Sequence, residues 1–412
     1  MGARAVTRWA RRFVAASALF LVAWQAAALV GVDRRVRVAL AVYGFVLHAV
    51  FGKAYSLVPS YFDRSLALTR APAVHFPLTA LGAVGLAAAP LSGVPEGVGA
   101  VGALCWTAGV AVFVAALAWT LRDNPTGRET GTSDANADRR PVDRFANAFV
   151  PVVLAYLLVG SYATVAGRVA LVPSLPGLSS LGVARTAHLL AAGTAALLVF
   201  AVGFRLFPRF LVASPPQALV AVVLPAGAVG PAVLAWGLYR RPWFPTGATL
   251  EALAVVGFAL AYAVLFVRSE RRRVGFYAVL VGVASGVLGV LVGLSFAQGD
   301  VPASSALVET HFRLNVLGFL GMTIAGATYQ FYPPTVGTFP GASDRTALAS
   351  VALVGVGLLA ELGGVLTSAT TGVRAATWTG SQTATWVLVG RASALGGALL
   401  FAGLVLGVFA ER

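Results

Sequence analysis

The chain holds four histidines, and two of them share a spacing. His188 stands fifteen residues before Gly203 and His311 fifteen before Gly326, while a third stretch of the same kind has Arg37 fifteen before Gly52. Each glycine is followed by an aromatic residue and, four positions after that, a proline: Tyr55 and Pro59, Phe204 and Pro208, Tyr329 and Pro333. An imidazole fixed on a helix can ligate a metal or heme iron, pass a proton or bond to a carbonyl, because its nitrogens exchange donor and acceptor roles near neutral pH. Fifteen residues of helix rise about 22 Å, so His188 and His311 fall at one depth. The other two histidines are less patterned. His48, in "YGFVLHAVFGK", could be a heme ligand, a proton relay or a bond to a neighbouring helix. His75, in "APAVHFP", reads as a shallow position one turn into its run.

Charged residues accompany the pair. Arg185 precedes His188 by one helical turn and shares its face. Arg37, Arg374 and Arg391 fall on the same outer side. Such arginines could pair with acidic groups, heme propionates among them, through bidentate bonds, or could be solvated anchors. Arg313, two residues past His311, lies in an apolar run where a charge must be paired or hydrated. Glu309 and Glu361 are its candidate partners. The plainer reading of His188 and His311 is two interfacial rings bonded to backbone carbonyls or water. Lys53, the only lysine, can snorkel to a membrane edge.

The elements that must position these residues follow from composition. The chain is 58% hydrophobic and 11% charged over 412 residues, more apolar surface than a soluble core can use. Spanning helices need about 20 apolar residues each, and the runs are too long and uniform for the alternation of a barrel strand. Twelve spans are expected, near 10–31, 36–59, 71–90, 98–121, 146–167, 184–207, 217–239, 247–268, 274–297, 306–332, 346–368 and 387–409. The first, in "MGARAVTRWARRFVAASALFLVAW", is long enough to span and reads as a retained signal anchor. The fold class is therefore an all-α polytopic membrane protein in the cell membrane. The lipid bilayer is its first partner.

A net charge of +15 might suggest nucleic acid, but the charges are scattered over short loops and no nucleic-acid module stands out. Alternate loops on the N-terminal side carry about twice as many arginines as those on the other, which places both termini in the cytoplasm. Cys105 is alone, which excludes a disulfide within the chain. Residues 122–144, "RDNPTGRETGTSDANADRRPVDR", are polar and read as a flexible cytoplasmic loop.

Because the three patterned spans are four apart, the chain reads as three four-helix units, roughly 1–121, 145–268 and 269–412, within one transmembrane domain. Helix-end punctuation by proline and interfacial aromatics is the generic alternative.

Twelve spans, cytoplasmic termini and three such units resemble subunit I of the heme–copper oxidases. The stretch "HFRLNVLGFLGMTIAGATYQFYP" looks like that family's tenth helix, with its His-Phe-His start and aromatic-Pro end. The resemblance implies that His311 ligates a heme, in a cavity faced also by the sixth helix and His188. The family's second ligand on the tenth helix falls on Arg313, and its second-helix ligand on Arg37, neither of which can ligate. His48 lies about 16 Å deeper. The seventh run, "VAVVLPAGAVGPAVLAW", contains no histidine, so copper, which takes several soft or imidazole ligands, is not expected. Relatives with reduced ligand sets, including the NnrS group linked to nitric oxide stress, are the closer comparison.

A heme-binding protein of electron transfer or diatomic gas handling is the expected function, with His311, His188, His48, Arg185 and Arg313 as candidate cofactor residues. Respiratory-chain or other membrane subunits are its implied partners. A transporter or channel, marked by Pro225 and Pro231 in the seventh run, is the alternative. So is a ligand-free scaffold subunit.

Overall fold

The computed structural model describes residues 2–175, 177, 181–370 and 379–411, among which there is no strand. Long helices occupy the twelve apolar runs. They are α1 (Gly2–Leu29), α2 (Arg34–Tyr61), α3 (Ala71–Ala88), α4 (Gly97–Leu121), α5 (Val150–Ala166), α6 (Val183–Leu211), α7 (Gln217–Gly237), α8 (Trp243–Arg268), α9 (Val274–Gln298), α10 (305–331), α11 (Asp344–Thr370) and α12 (Thr379–Ala410). Among the described residues, eleven helices are long and apolar enough to cross a membrane. The exception is α10, whose run is interrupted by Glu309, Arg313, Asn315, Thr323 and Gln330. A helix satisfies its own backbone, which is what lets so apolar a chain remain hydrogen-bonded in lipid.

Local chemistry sets the ends. Asp33 caps α2 by accepting from the Arg35 amide at 2.6 Å, and Ser304 caps α10 by accepting from Leu307 at 3.3 Å. Gly299, at φ 86°, closes α9 in the left-handed conformation that glycine adopts without strain. α2 and α6 run only a few residues beyond Pro59 and Pro208, and α10 stops before Pro333.

Two compact units contain these helices, Met1–Ser17 with Asp33–Glu270, and Ala18–Val32 with Arg271–Arg412. Within units, helices approach closely at small residues. A Cβ added at Gly82 of α3 would stand 2.6 Å from the Trp106 amide nitrogen of α4, so only glycine allows that contact.

One irregularity recurs. In α2, α6 and α10 the backbone widens into a π-helix, over Ala39–Val46, His188–Ala196 and Leu314–Gly321. The amide of Leu47 reaches back five residues to Val42, and that of Leu197 to Ala192. The π-helix is rare and mostly confined to single turns, often at functional sites. Here three such segments end between five and seven residues before Gly52, Gly203 and Gly326, the register in which the sequence pattern repeats. α2 and α6 are also the most enclosed of the eleven spans, 89% and 78% buried against 56% or less for the others.

The segment 122–144 is docked, which corrects the expectation of a flexible loop. It forms a short 3-10 helix (Asp134–Arg139) that runs into a further helix (Arg140–Asn147) ahead of α5. Arg205 of α6 is 1% exposed and donates to the Tyr61 carbonyl at 2.8 Å, to Thr130 Oγ1 at 3.1 Å and to Asn147 Oδ1. Asp143 lies 3.3 Å from Arg205 and 2.6 Å from Arg209, and accepts from Thr132. The polar residues that suggested disorder are the partners of a buried arginine, and an unpaired charge there would be costly.

Candidate functional site

The four histidines are held in three surroundings. His311 lies on α10 just before the π segment, its ring laid against α9. Its Nδ1 is 2.8 Å from the Gly289 carbonyl. The carbonyl can only accept, so Nδ1 carries a proton, which leaves Nε2 as the nitrogen open to a further partner. Asn315, one turn on, donates to the His311 carbonyl at 2.8 Å and sits 3.3 Å from Nδ1. Because Nδ1 is already a donor, that longer contact is packing and not a second hydrogen bond.

Glycines on α9 make this placement. A Cβ at Gly293 would fall 2.6 Å from His311 Cε1, and one at Gly289 2.5 Å from Asn315 Nδ2. Gly289 and Gly293 are four apart, as are His311 and Asn315, so one face of α9 is cut back to receive one face of α10. Phe296 closes the side, with its ring centroid 6.1 Å from that of His311.

His188 opens the π segment of α6. Its Nδ1 is 2.7 Å from the Ala184 carbonyl of its own helix, which places a proton on Nδ1, as in His311. The positive charge of Arg34 acts on it electrostatically. Arg185 donates to the Leu238 carbonyl at the end of α7, at 3.2 Å.

His48 and His75 share an aromatic cage in the first unit, both fully buried. His75 stands one turn into α3, as expected, and its ring is packed against neighbouring helices. Phe51, Phe13 and Phe113 lie 4.5, 5.0 and 5.3 Å from it, centroid to centroid, and Tyr55 Oη is 3.1 Å from its Nδ1. His48 Nδ1 bonds the Tyr43 carbonyl of its own helix at 2.8 Å. The carbonyl lies five residues back in the π segment.

Arg313 finds Glu361, one of the two partners expected. Its Nε is 2.8 Å from Oε2 and 3.0 Å from Oε1, and a terminal nitrogen donates to Oε1 at 2.8 Å. The same nitrogen donates to Gln25 Oε1 at 2.9 Å. Arg391 of α12 lies 3.9 Å from Glu361 and donates to the Ala28 carbonyl at 2.9 Å. This cluster ties α1, α10, α11 and α12 within the second unit. Arg374 lies outside the described residues.

Among the described residues no three His, Cys, Asp or Glu side chains are grouped to share a metal ion. A heme iron asks less of the chain, one or two axial ligands. His311 suits that donor set, with its Nδ1 proton held by the Gly289 carbonyl and its ring seated against Gly293. The glycine face of α9 and the cage around His75 were not foreseen. The spacing of Gly282, Gly286, Gly289 and Gly293 is the signal that could have found the first. No protein-family model matches the chain, and no curated protein matches it.

Proposed function

We propose that this chain is a heme-binding, oxidase-like protein of the cell membrane, serving electron transfer or the handling of a diatomic gas such as nitric oxide, and not a complete oxygen reductase. His311 is the axial ligand in this reading, and His188 is a second candidate within its own unit. The observation that carries this reading is the anchoring of both rings. Each Nδ1 is held by a backbone carbonyl, at 2.8 Å in His311 and 2.7 Å in His188. Ligating imidazoles are oriented in this way, with the other ring nitrogen directed to the metal. The recurring π segments support it, since both histidines stand at or just before one.

A bound heme would supply one-electron chemistry or a site for a diatomic gas. The chain's own part is to hold the imidazole at a fixed angle and to keep bulk water away. Arg185 is the arginine placed to pair with propionates, because it lies a turn from His188. Arg313 is committed to Glu361, and His48 and His75 are packed into their cage, so no cofactor contact is assigned to them. Copper has no place in this reading. Partner subunits of a respiratory assembly would supply or accept the electrons.

The test is an absorption spectrum of the purified protein, oxidised and reduced with dithionite. A Soret band with sharp reduced bands, lost in H311A, is the expected result. A protein free of heme after expression with added hemin would sink the reading and leave a transporter or scaffold. The transporter reading has one observation in its favour, the Tyr156 hydroxyl that bridges the Ala232 amide and the Ala228 carbonyl of α7 beside Pro231.

A further inference from the structure

Glu251 is a buried carboxyl with no cation beside it. It lies on α8 eight residues beyond Trp243, about 12 Å along the axis, and is 8% exposed. Its Oε1 is buried and without a hydrogen-bond partner. The helix facing it is α7, which approaches at Gly230. A Cβ added there would stand 3.1 Å from Glu251 Oε1 and 3.2 Å from its amide nitrogen. The absent side chain is the room in which the carboxyl sits.

The next residue of α7 is Pro231, which has no amide proton, so the Gly227 carbonyl lacks its helical donor. One turn is also bridged from outside. The Ala232 amide donates to the Tyr156 hydroxyl of α5 at 3.1 Å, and that hydroxyl donates to the Ala228 carbonyl at 2.5 Å. Glu251 therefore lies in an apolar bundle beside a stretch of α7 whose hydrogen-bond ladder is interrupted at Pro231.

An ionised carboxylate with no partner is costly in such surroundings, and an intramembrane ionisable residue is a functional candidate by default. Few groups can offset the charge. α7 carries no titratable side chain. Of the arginines of α6, Arg185 near its start donates to the Leu238 carbonyl at 3.2 Å, and Arg205 and Arg209 are held by Asp143 near its far end. From α5 only Tyr156 acts on Glu251, and it brings no positive charge. Tyr262 and Arg268 of α8 itself lie eleven and seventeen residues further along.

We propose that Glu251 is a reversible proton-binding site within the first unit. Uptake forms an O–H bond on the carboxylate with a proton delivered by water, and leaves the site neutral. Release returns the proton and leaves one negative charge. Gly230 gives the acid its room. A metal cation is disfavoured, because a single carboxylate falls short of the six or more oxygens that hard cations gather. This site stands whether or not the chain holds heme.

Infrared spectroscopy of the full chain in lipid nanodiscs tests it, by titrating wild type and E251Q from acid to alkaline pH. The expected result is a carboxylic-acid C=O band in wild type that is lost reversibly as pH rises and is missing from E251Q. If E251Q does not fold, E251D keeps a carboxyl but shifts the stretching frequency, and identifies the band equally well. Two results would overturn the proposal. One is no band that depends on Glu251 at any pH, which means permanent ionisation. The other is a band unchanged across the titration, which means a fixed structural acid.

Discussion

Arg313 and Glu361 form a bidentate ion pair inside the second unit, with Nε 2.8 Å from Oε2 and both side chains at most 5% exposed. They come from α10 and α11, and Gln25 of α1 takes a further hydrogen of the guanidinium. Two charges withdrawn from water cost several kcal/mol each, and their mutual attraction offsets this only when the geometry is good. Removing one partner should therefore cost more than removing both. E361A is expected to destabilise the protein by about 3–5 kcal/mol, and the double variant R313M/E361L by markedly less. Denaturation of both variants in one detergent checks this, and equal losses would show that the pair carries no such coupling.

The Arg205–Asp143 pair is expected to hold segment 122–144 in place. D143N keeps the side-chain volume but removes the charge that faces both Arg205 and Arg209. Limited proteolysis should then cut the segment well ahead of the helices, while wild type resists. Equal cleavage rates would mean that the hydrogen bonds to Tyr61, Thr130 and Asn147 suffice without the ion pair.

Eleven of the helices were legible as long apolar runs, since only helices and closed barrels satisfy their backbone in lipid and the runs lack the alternation of barrel strands. The sequence pattern of a histidine or arginine, a glycine, an aromatic and a proline marked the three helices that carry π segments. The π segments themselves were not legible, because an extra residue in a turn leaves no mark in residue type at Ala39–Val46 or Leu314–Gly321. The docking of 122–144 was hidden for another reason. Thr130, Thr132 and Asp143 look solvated until Arg205 is seen to need them. Glu251 is a single acid in an apolar run, and its meaning depends on Gly230 of a different helix.

Glu411 offers a pH-sensitive contact outside the spans. Its carboxylate accepts from the Thr338 amide at 2.8 Å and from the Thr338 hydroxyl at 2.7 Å. The backbone bond first, then the hydroxyl, holds its pKa below the ordinary carboxylate range. A carboxyl with a depressed folded pKa contributes stability above its unfolded pKa and loses it as pH falls through the folded value. The tether should thus be whole at neutral pH and released in acid. Protection of the Thr338 amide, measured as its exchange rate relative to the intrinsic rate at each pH, should fall as pH drops through the carboxyl's folded pKa, and E411Q should abolish that pH dependence. An identical pH profile in both proteins would refute the tether.

Gly293 should be as important to the proposed ligand as His311 itself, although it carries no side chain. A methyl group there would lie 2.6 Å from His311 Cε1, well inside van der Waals contact, so the ring must turn or α9 and α10 must part. Either movement takes Nδ1 from the Gly289 carbonyl and releases the ring from that hydrogen bond. G293A is therefore expected to lose most of its heme per mole of protein, close to the loss in H311A. G363A is the control, since a Cβ at Gly363 meets nothing within 4 Å. Full heme content in G293A, with H311A depleted, would mean that the ring does not need this seat. Full content in both would remove His311 from the ligand set.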